Sequence, residues 1–306
     1  PNDIIQGSGE ERLLDGVRFV FHNVSGAEAP AEFTFSLPDL HAYCGAELMS
    51  HTMHNLYTLR GAKVRDALKW ASYLDEALEH AAGAEVVFNQ HHWPVWGQDR
   101  ISEFVERQRD TYKFIHDQTV RRMNAGMTAS EIADTLTLPK ALQDYLNVRG
   151  YYGTVRHNVQ AVYQFYLGWF DAHPANLDPY PPAAIGQRYV DAMGGPEVVL
   201  AKAQTAFDAG DYRWASELLK HAVHANADNS AARELMAKSF EQLGYASESS
   251  TWRNFYLTGA LELRQGGPEI GMDRAAMIDL LQHTPSERFL EAMAASLNAE
   301  KAEDLE

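Results

Sequence analysis

The sequence predicts an α+β protein in which strands come first and helices follow. Before Gly97, runs such as Phe33-Thr-Phe-Ser-Leu37 alternate apolar and polar residues, the period of a half-buried strand. From Ile101 onward apolar residues recur at helical spacing, and charged residues fill the gaps. Farther along, Gly210 and Gly244 stand 34 residues apart, the period of tetratricopeptide helix pairs, with Ala206 and Phe240 in matching places.

Taken in order, Leu13-Leu14, Asp15-Gly16 and Val17 to Phe21 read as a hairpin, because Asp-Gly is a strong two-residue turn signal. Val17, Phe19 and Phe21 are expected to point inward. A loop from Asn23 to Ala31 precedes the Phe33–Leu37 strand. Val64 to Ala82 carries Ala67, Leu68, Trp70, Ala71, Leu74 and Leu78 on one helical stripe that would cover a face of the sheet. Glu85 to Phe88 is a further short strand. After Gly97, the stripe Ile101, Phe104, Val105, Tyr112, Ile115 and Val120 predicts a helix closed by Gly126. Thr128-Ala-Ser-Glu131 is a capping box for the next helix. Gly150 to Trp169 reads as an aromatic-rich helix, and His173 to Pro182 as a loop. Helices over 198–209, 212–224, 231–243 and 247–265 form repeat-like hairpins. Gly266-Gly267-Pro268 breaks the last of them, and a new segment starts at Asp273.

Composition narrows the function. A net charge of −16 spread over 306 residues with no basic patch argues against a nucleic-acid partner. No apolar run reaches membrane-spanning length. Cys44 stands alone, which forbids an internal disulfide, and its small and apolar neighbours suggest a buried thiol.

The chemistry-bearing residues gather at strand ends. Glu28 lies in the loop after the hairpin, Glu47 follows the next strand, and His91-His92 follow the Glu85–Phe88 strand. Carboxylate oxygens and imidazole nitrogens are the donors that zinc accepts, and loops at strand ends let donors converge without disturbing a core. Against this stands the common fate of such residues, a solvated carboxylate and a surface imidazole. Spacing alone does not separate the two readings.

The motifs Gly26-Ala-Glu-Ala-Pro-Ala-Glu32, Ala46-Glu47, His54-Asn55, Leu59-Arg-Gly-Ala-Lys-Val-Arg-Asp66 and His91-His-Trp-Pro-Val-Trp-Gly97 resemble the zinc-dependent alkylsulfatases of the metallo-β-lactamase superfamily. Arg149-Gly-Tyr-Tyr-Gly153, His157-Asn158, Tyr166-Leu-Gly-Trp169 and Tyr212-Arg-Trp214 resemble that family's dimerisation domain. The resemblance implies residues 1–97 as the second half of a metallo-β-lactamase αββα sandwich. It implies 98–266 as an all-α, TPR-like dimerisation domain, and 267–306 as a linker and the start of a sterol-carrier-like domain, with Phe289 to Leu297 its opening helix.

By the same resemblance Glu28 binds one of two zinc ions and Glu47 with His92 binds the second. Arg60 holds the sulfate ester, with Tyr152, His157 and Tyr166 near it. No catalytic residue beyond the metal ligands is implied in this chain, and only family spacing favours His92 over His91. The family's His-x-His-x-Asp-His segment occurs nowhere in these residues, so the expectation is part of a longer enzyme, or a chain completed by a second one. The expected activity is hydrolysis of alkyl sulfates by a homodimer; the family resemblance favours a periplasmic or secreted location, and a cytoplasmic one stays open. Two alternatives stay open, a non-catalytic helical scaffold and a metallo-hydrolase of another ester class.

Overall fold

The computed structural model describes residues 3–267, 274–295 and 297–302. Pro268, Asp273 and Ser296, which enter the expected helix break, new segment and terminal helix, lie outside the described residues, as do 303–306 of the expected last domain. The chain divides into two compact units, Pro1–Arg264 and Gln265–Glu306.

In the first unit six strands form one sheet in chain order: β1 (Glu10–Leu14), β2 (Val17–Asn23), β3 (Phe33–Leu37), β4 (Ala42–Cys44), β5 (Val86–Phe88) and β6 (Val95–Trp96). Neighbours are antiparallel except β4 and β5, which are parallel and joined by helix α1 (Ala67–His80). The first hairpin turns on Asp15 and Gly16, both at positive φ, as its two-residue turn requires. Asp66 caps α1 by accepting from the backbone N–H groups of Leu68 and Lys69.

The strand period is as expected, but the face that α1 covers is the other one. His22, Thr34, Ser36, Tyr43 and Val87 share a face by register, and His80 of α1 stacks on His22 at 3.7 Å. Thr34 is fully buried there because the Tyr43 hydroxyl donates to it at 2.7 Å. Phe19, Phe21, Phe33 and Phe35 line the opposite face, where they stack on one another at 5.0–6.0 Å, and Phe33 is 44% exposed.

Helices α2 (Gln98–Asn124), α3 (Ala129–Thr135), α4 (Lys140–Gln143) and α5 (Val155–Leu167) follow. The capping box at Thr128 and Glu131 is present. The aromatic-rich helix is shorter than expected. Thr154 caps it by accepting from His157 N, Gly168 ends it at φ 71°, and Tyr151 and Tyr152 sit in the preceding loop. Side chains of the sheet, α1, α2, α3 and α5 share one core that includes Tyr43, Leu48, Trp70, Phe104, Tyr112, Ile132 and Val159.

A second core lies among α6 (Pro182–Ala192), α7 (Pro196–Asp208), α8 (Tyr212–Ala225) and α9 (Ser230–Ala246), centred on Val199, Ala203, Leu218, Leu219 and Ala232. Sequence periodicity did not mark α6, although Pro182 at its first turn is a helix-start signal. Helix α10 (Ser250–Gln265) completes the array, and the second unit contains α11 (Arg274–Gln282) and α12 (Ser286–Ala294). Among the described residues no helix is long and apolar enough to cross a membrane.

Candidate metal centre

Between β4 and α1 the chain runs from Gly45 to Thr58 without regular structure, yet all of it is buried except Glu47, Thr52 and Tyr57. A buried irregular segment must find partners for its backbone outside any ladder. Here the helices supply them. Gln108 of α2 accepts from Ser50 N at 2.9 Å, and the Tyr112 hydroxyl accepts from His54 N at 2.9 Å. Asn158 of α5 accepts from Leu56 N and donates to His54 O, both at 2.9 Å. Gly153 comes so close that a Cβ on it would lie 2.3 Å from His54 O.

This grip presents His54 beside the two predicted carboxylates. One ligand atom from each of Glu28, Glu47 and His54 lies within 4.8 Å of the others. His54 Nδ1 is 2.9 Å from Asn55 O, which fixes the proton on Nδ1 and leaves the Nε2 lone pair for a metal. Nε2 is 3.8 Å from Glu47 Oε2, while His91 Nε2 bonds Glu47 Oε1 at 2.7 Å. Where His54 Nε2 carries a proton instead of a metal, its hydrogen bond holds the Glu47 carboxyl down to about 2 against the effect of burial, and His91 adds to this. Ala46 and His91 both adopt positive φ, 47° and 73°, so the backbone is strained next to Glu47 and at His91 itself.

Glu28 is held from two sides. Arg65 pairs with its carboxylate and donates through Nε to its carbonyl at 2.6 Å, and Glu32 accepts from its N–H at 3.0 Å. Burial pushes the Glu32 carboxyl up to about 7, with the Glu28 charge adding to it.

A cavity of about 540 Å3 opens over Glu28, Glu47 and His54, and Arg60, His91, His92 and Tyr152 also line it. Arg60 stands on the Thr58–Gly61 turn, closed by a 3.1 Å bond and by Gly61 at φ 93°. It has no carboxylate partner among the described residues. His92 lies against His51 at 5.4 Å between ring centroids, and its buried Nδ1 has no hydrogen-bond partner among the described residues. The Tyr152 ring meets His54 edge-on at 4.9 Å.

Two predicted residues are not brought to this cavity. His157 donates from Nε2 to Tyr57 O at 2.6 Å and accepts from Trp252 Nε1 at Nδ1 at 3.0 Å, so both ring nitrogens are engaged. It lines a separate aromatic cavity with Tyr163, Trp169 and Phe255. Tyr166 bonds His116 Nε2 at 2.7 Å through its hydroxyl, and His116 Nδ1 reaches Asp117 at 2.8 Å.

Sequence reading missed His54 as a donor and gave Arg65 no role. The His51-x-x-His54 spacing was the available signal, and it is mute without a helix to give it a common face. Two carboxylates and an imidazole with its other nitrogen already committed are a donor set that suits a divalent zinc ion, and His92 lines the same cavity.

Residues 128–266 match the family described as alkyl sulfatase dimerisation. The whole chain is similar to alkylsulfatases, as the sequence motifs implied. It is 48% identical to an alkyl/aryl-sulfatase of Saccharomyces cerevisiae, over 99% of this chain and 47% of that protein. It is 44% identical to a linear primary-alkylsulfatase of a Pseudomonas species, over 99% of this chain and 45% of that one. The solved structure of a double mutant of the sec-alkylsulfatase PisA1 superposes with a TM-score of 0.93 at 42% identity, covering 99% of this chain and 48% of the other. The chain thus spans just under half the length of these relatives.

Proposed function

We propose that this chain supplies the sulfate-binding arginine and part of a binuclear zinc site to an enzyme that hydrolyses alkyl sulfate esters. The observation that carries the reading is Arg60, a guanidinium with no carboxylate partner among the described residues, on the same cavity as Glu28, Glu47 and His54. Glu28 would hold one zinc ion, and Glu47 with His92 the other, with His54 as an additional imidazole facing both carboxylates. When bound, such ions supply a water of lowered pKa and positive charge to offset the developing oxyanion. The remaining donors come from residues outside this chain's motifs, in a longer protein or a companion chain.

The chain's own residues have distinct tasks. A sulfate monoester presents a planar pair of oxygens, and the Arg60 fork grips two of them where a lysine grips one. Tyr152 stands over His54 and limits water at that edge of the cavity. The homodimer is part of the same proposal. Phe165, Trp169, Tyr189, Trp214 and Phe255 are exposed on helices and a loop within the span that matches the dimerisation family, and pairing of two copies would cover them. A monodisperse monomer at micromolar concentration would count against it.

The test is hydrolysis of a medium-chain alkyl sulfate by the complete protein and two variants, with zinc quantified in each. Arg60→Lys is expected to lower kcat/KM by about 10- to 100-fold, or roughly 1.4–2.7 kcal/mol, and Arg60→Ala by more, with zinc content unchanged. Full activity in Arg60→Ala would remove the sulfate-specific part of the reading.

A further inference from the structure

Arg60 and Arg65 stand five residues apart in one loop, and their surroundings divide them. Arg60 is exposed and has no carboxylate partner among the described residues, whereas the Arg65 side chain is 9% exposed and every arm of its guanidinium is engaged. Nε donates to Glu28 O at 2.6 Å and Nη2 pairs with the Glu28 carboxylate. Nη1 donates to Asn55 O at 2.7 Å and to Asn55 Oδ1 at 2.5 Å, and lies 3.4 Å from His54 Nδ1. Asn55 O is also the acceptor that fixes the His54 tautomer. One planar group therefore joins the Glu28 loop to the His54-Asn55 segment, two stretches that no strand pairing connects.

We infer that Arg65 is a positioning residue that sets the distance between the Glu28 carboxylate and the His54 imidazole, so that the pair is formed before a metal arrives. Only a guanidinium can do this. Its donors diverge in one plane, one edge toward Glu28 and one end toward Asn55, while an ammonium at the same place satisfies one side and releases the other. Burial sharpens the demand, since a Glu28 carboxylate without its partner would be left poorly compensated beside Glu32 and Glu47.

The inference rests on the metal-site reading and needs no particular substrate. The experiment uses the complete protein with Arg65→Lys and Arg65→Gln, folding checked by circular dichroism, and zinc affinity measured by competition with a chromogenic chelator. Both variants are expected to bind zinc about 10- to 100-fold more weakly, the range typical for loss of a group that orients a metal ligand. Lys is expected to give no rescue. In the kinetic arm, saturating zinc is expected to leave kcat reduced and KM within about threefold of wild type. Arg60→Lys is expected to show the reverse, unchanged zinc affinity with weakened sulfate ester binding. A protein that binds zinc but hydrolyses no alkyl sulfate would sink the proposed function and leave the Arg65 result readable. Wild-type zinc affinity in either variant, or failure of both to fold, overturns the inference and makes Arg65 an ordinary structural ion pair.

Discussion

The Gly45–Thr58 segment and the core of the α6–α9 array are both buried, but they are held by different forces. The array is stabilised by apolar side chains of regular helices, with Val199, Ala203 and Leu219 fully buried. The segment has no regular structure, and polar side chains reaching in from α2 and α5 satisfy its backbone. Apolar packing tolerates small shifts, whereas a hydrogen-bonded scaffold fixes direction as well as proximity. The candidate metal donors Glu47 and His54 sit on the second kind of structure, and much of the span that matches a dimerisation family is built from the first.

Two glycines test this most severely. A Cβ at Gly153 would meet His54 O at 2.3 Å and Asn55 N at 2.6 Å, and a Cβ at Gly186 would meet His221 O at 2.8 Å. Gly153→Ala is expected to destabilise by roughly 3 kcal/mol and to abolish tight zinc binding, because backbone must move next to a donor. Gly186→Ala should cost on the order of 1–2 kcal/mol, since better helix propensity offsets part of the clash, with zinc affinity unchanged. Thermal unfolding and zinc titration of the pair read both effects. Equal losses of zinc affinity would break the distinction between the regions.

The next pair removes one side chain that holds each region. Asn158→Ala orphans Leu56 N–H and His54 C=O at once, at a cost of about 2–4 kcal/mol, and should weaken zinc binding. Leu219→Ala opens a cavity in the array at about 2–5 kcal/mol and should leave zinc affinity alone. If Asn158→Ala keeps its zinc, the polar scaffold serves stability only.

The smallest expected effect sharpens the picture within the sheet. Burial, and then the neighbouring His80, hold the His22 imidazole down to about 4. The unfolded chain therefore binds a proton that the folded one refuses between pH 6.5 and 4, so the stability His22 contributes is complete above pH 6.5 and is lost as pH falls through that window. The loss is on the order of 2 kcal/mol. Comparing unfolding from pH 7 to 4.5 in wild type and His22→Gln isolates it, and parallel profiles would show that His22 already carries its proton when folded.

What the sequence by itself determined is local. The Asp15-Gly16 turn, the capping box at Thr128 and the stripe on α1 are legible because dihedral preference, cap chemistry and apolar period act within a few residues. The placement of Glu28, Glu47 and His91-His92 at strand ends was legible for the same reason, and the expectation that Glu28, Glu47 and His92 bind zinc came from family motifs. Tertiary structure alone decided the rest. It chose which sheet face α1 covers, because a Tyr43–Thr34 hydrogen bond lets a polar residue be buried there while the phenylalanines pack on each other. It recruited His54 to the carboxylates through a segment with no period to read, gripped by side chains 58 to 104 residues away. It also gave Arg60 and Arg65, alike in sequence, opposite fates, since a guanidinium's role is set by the acceptors around it, and those arrive from Glu28 and Asn55 only when the chain has folded.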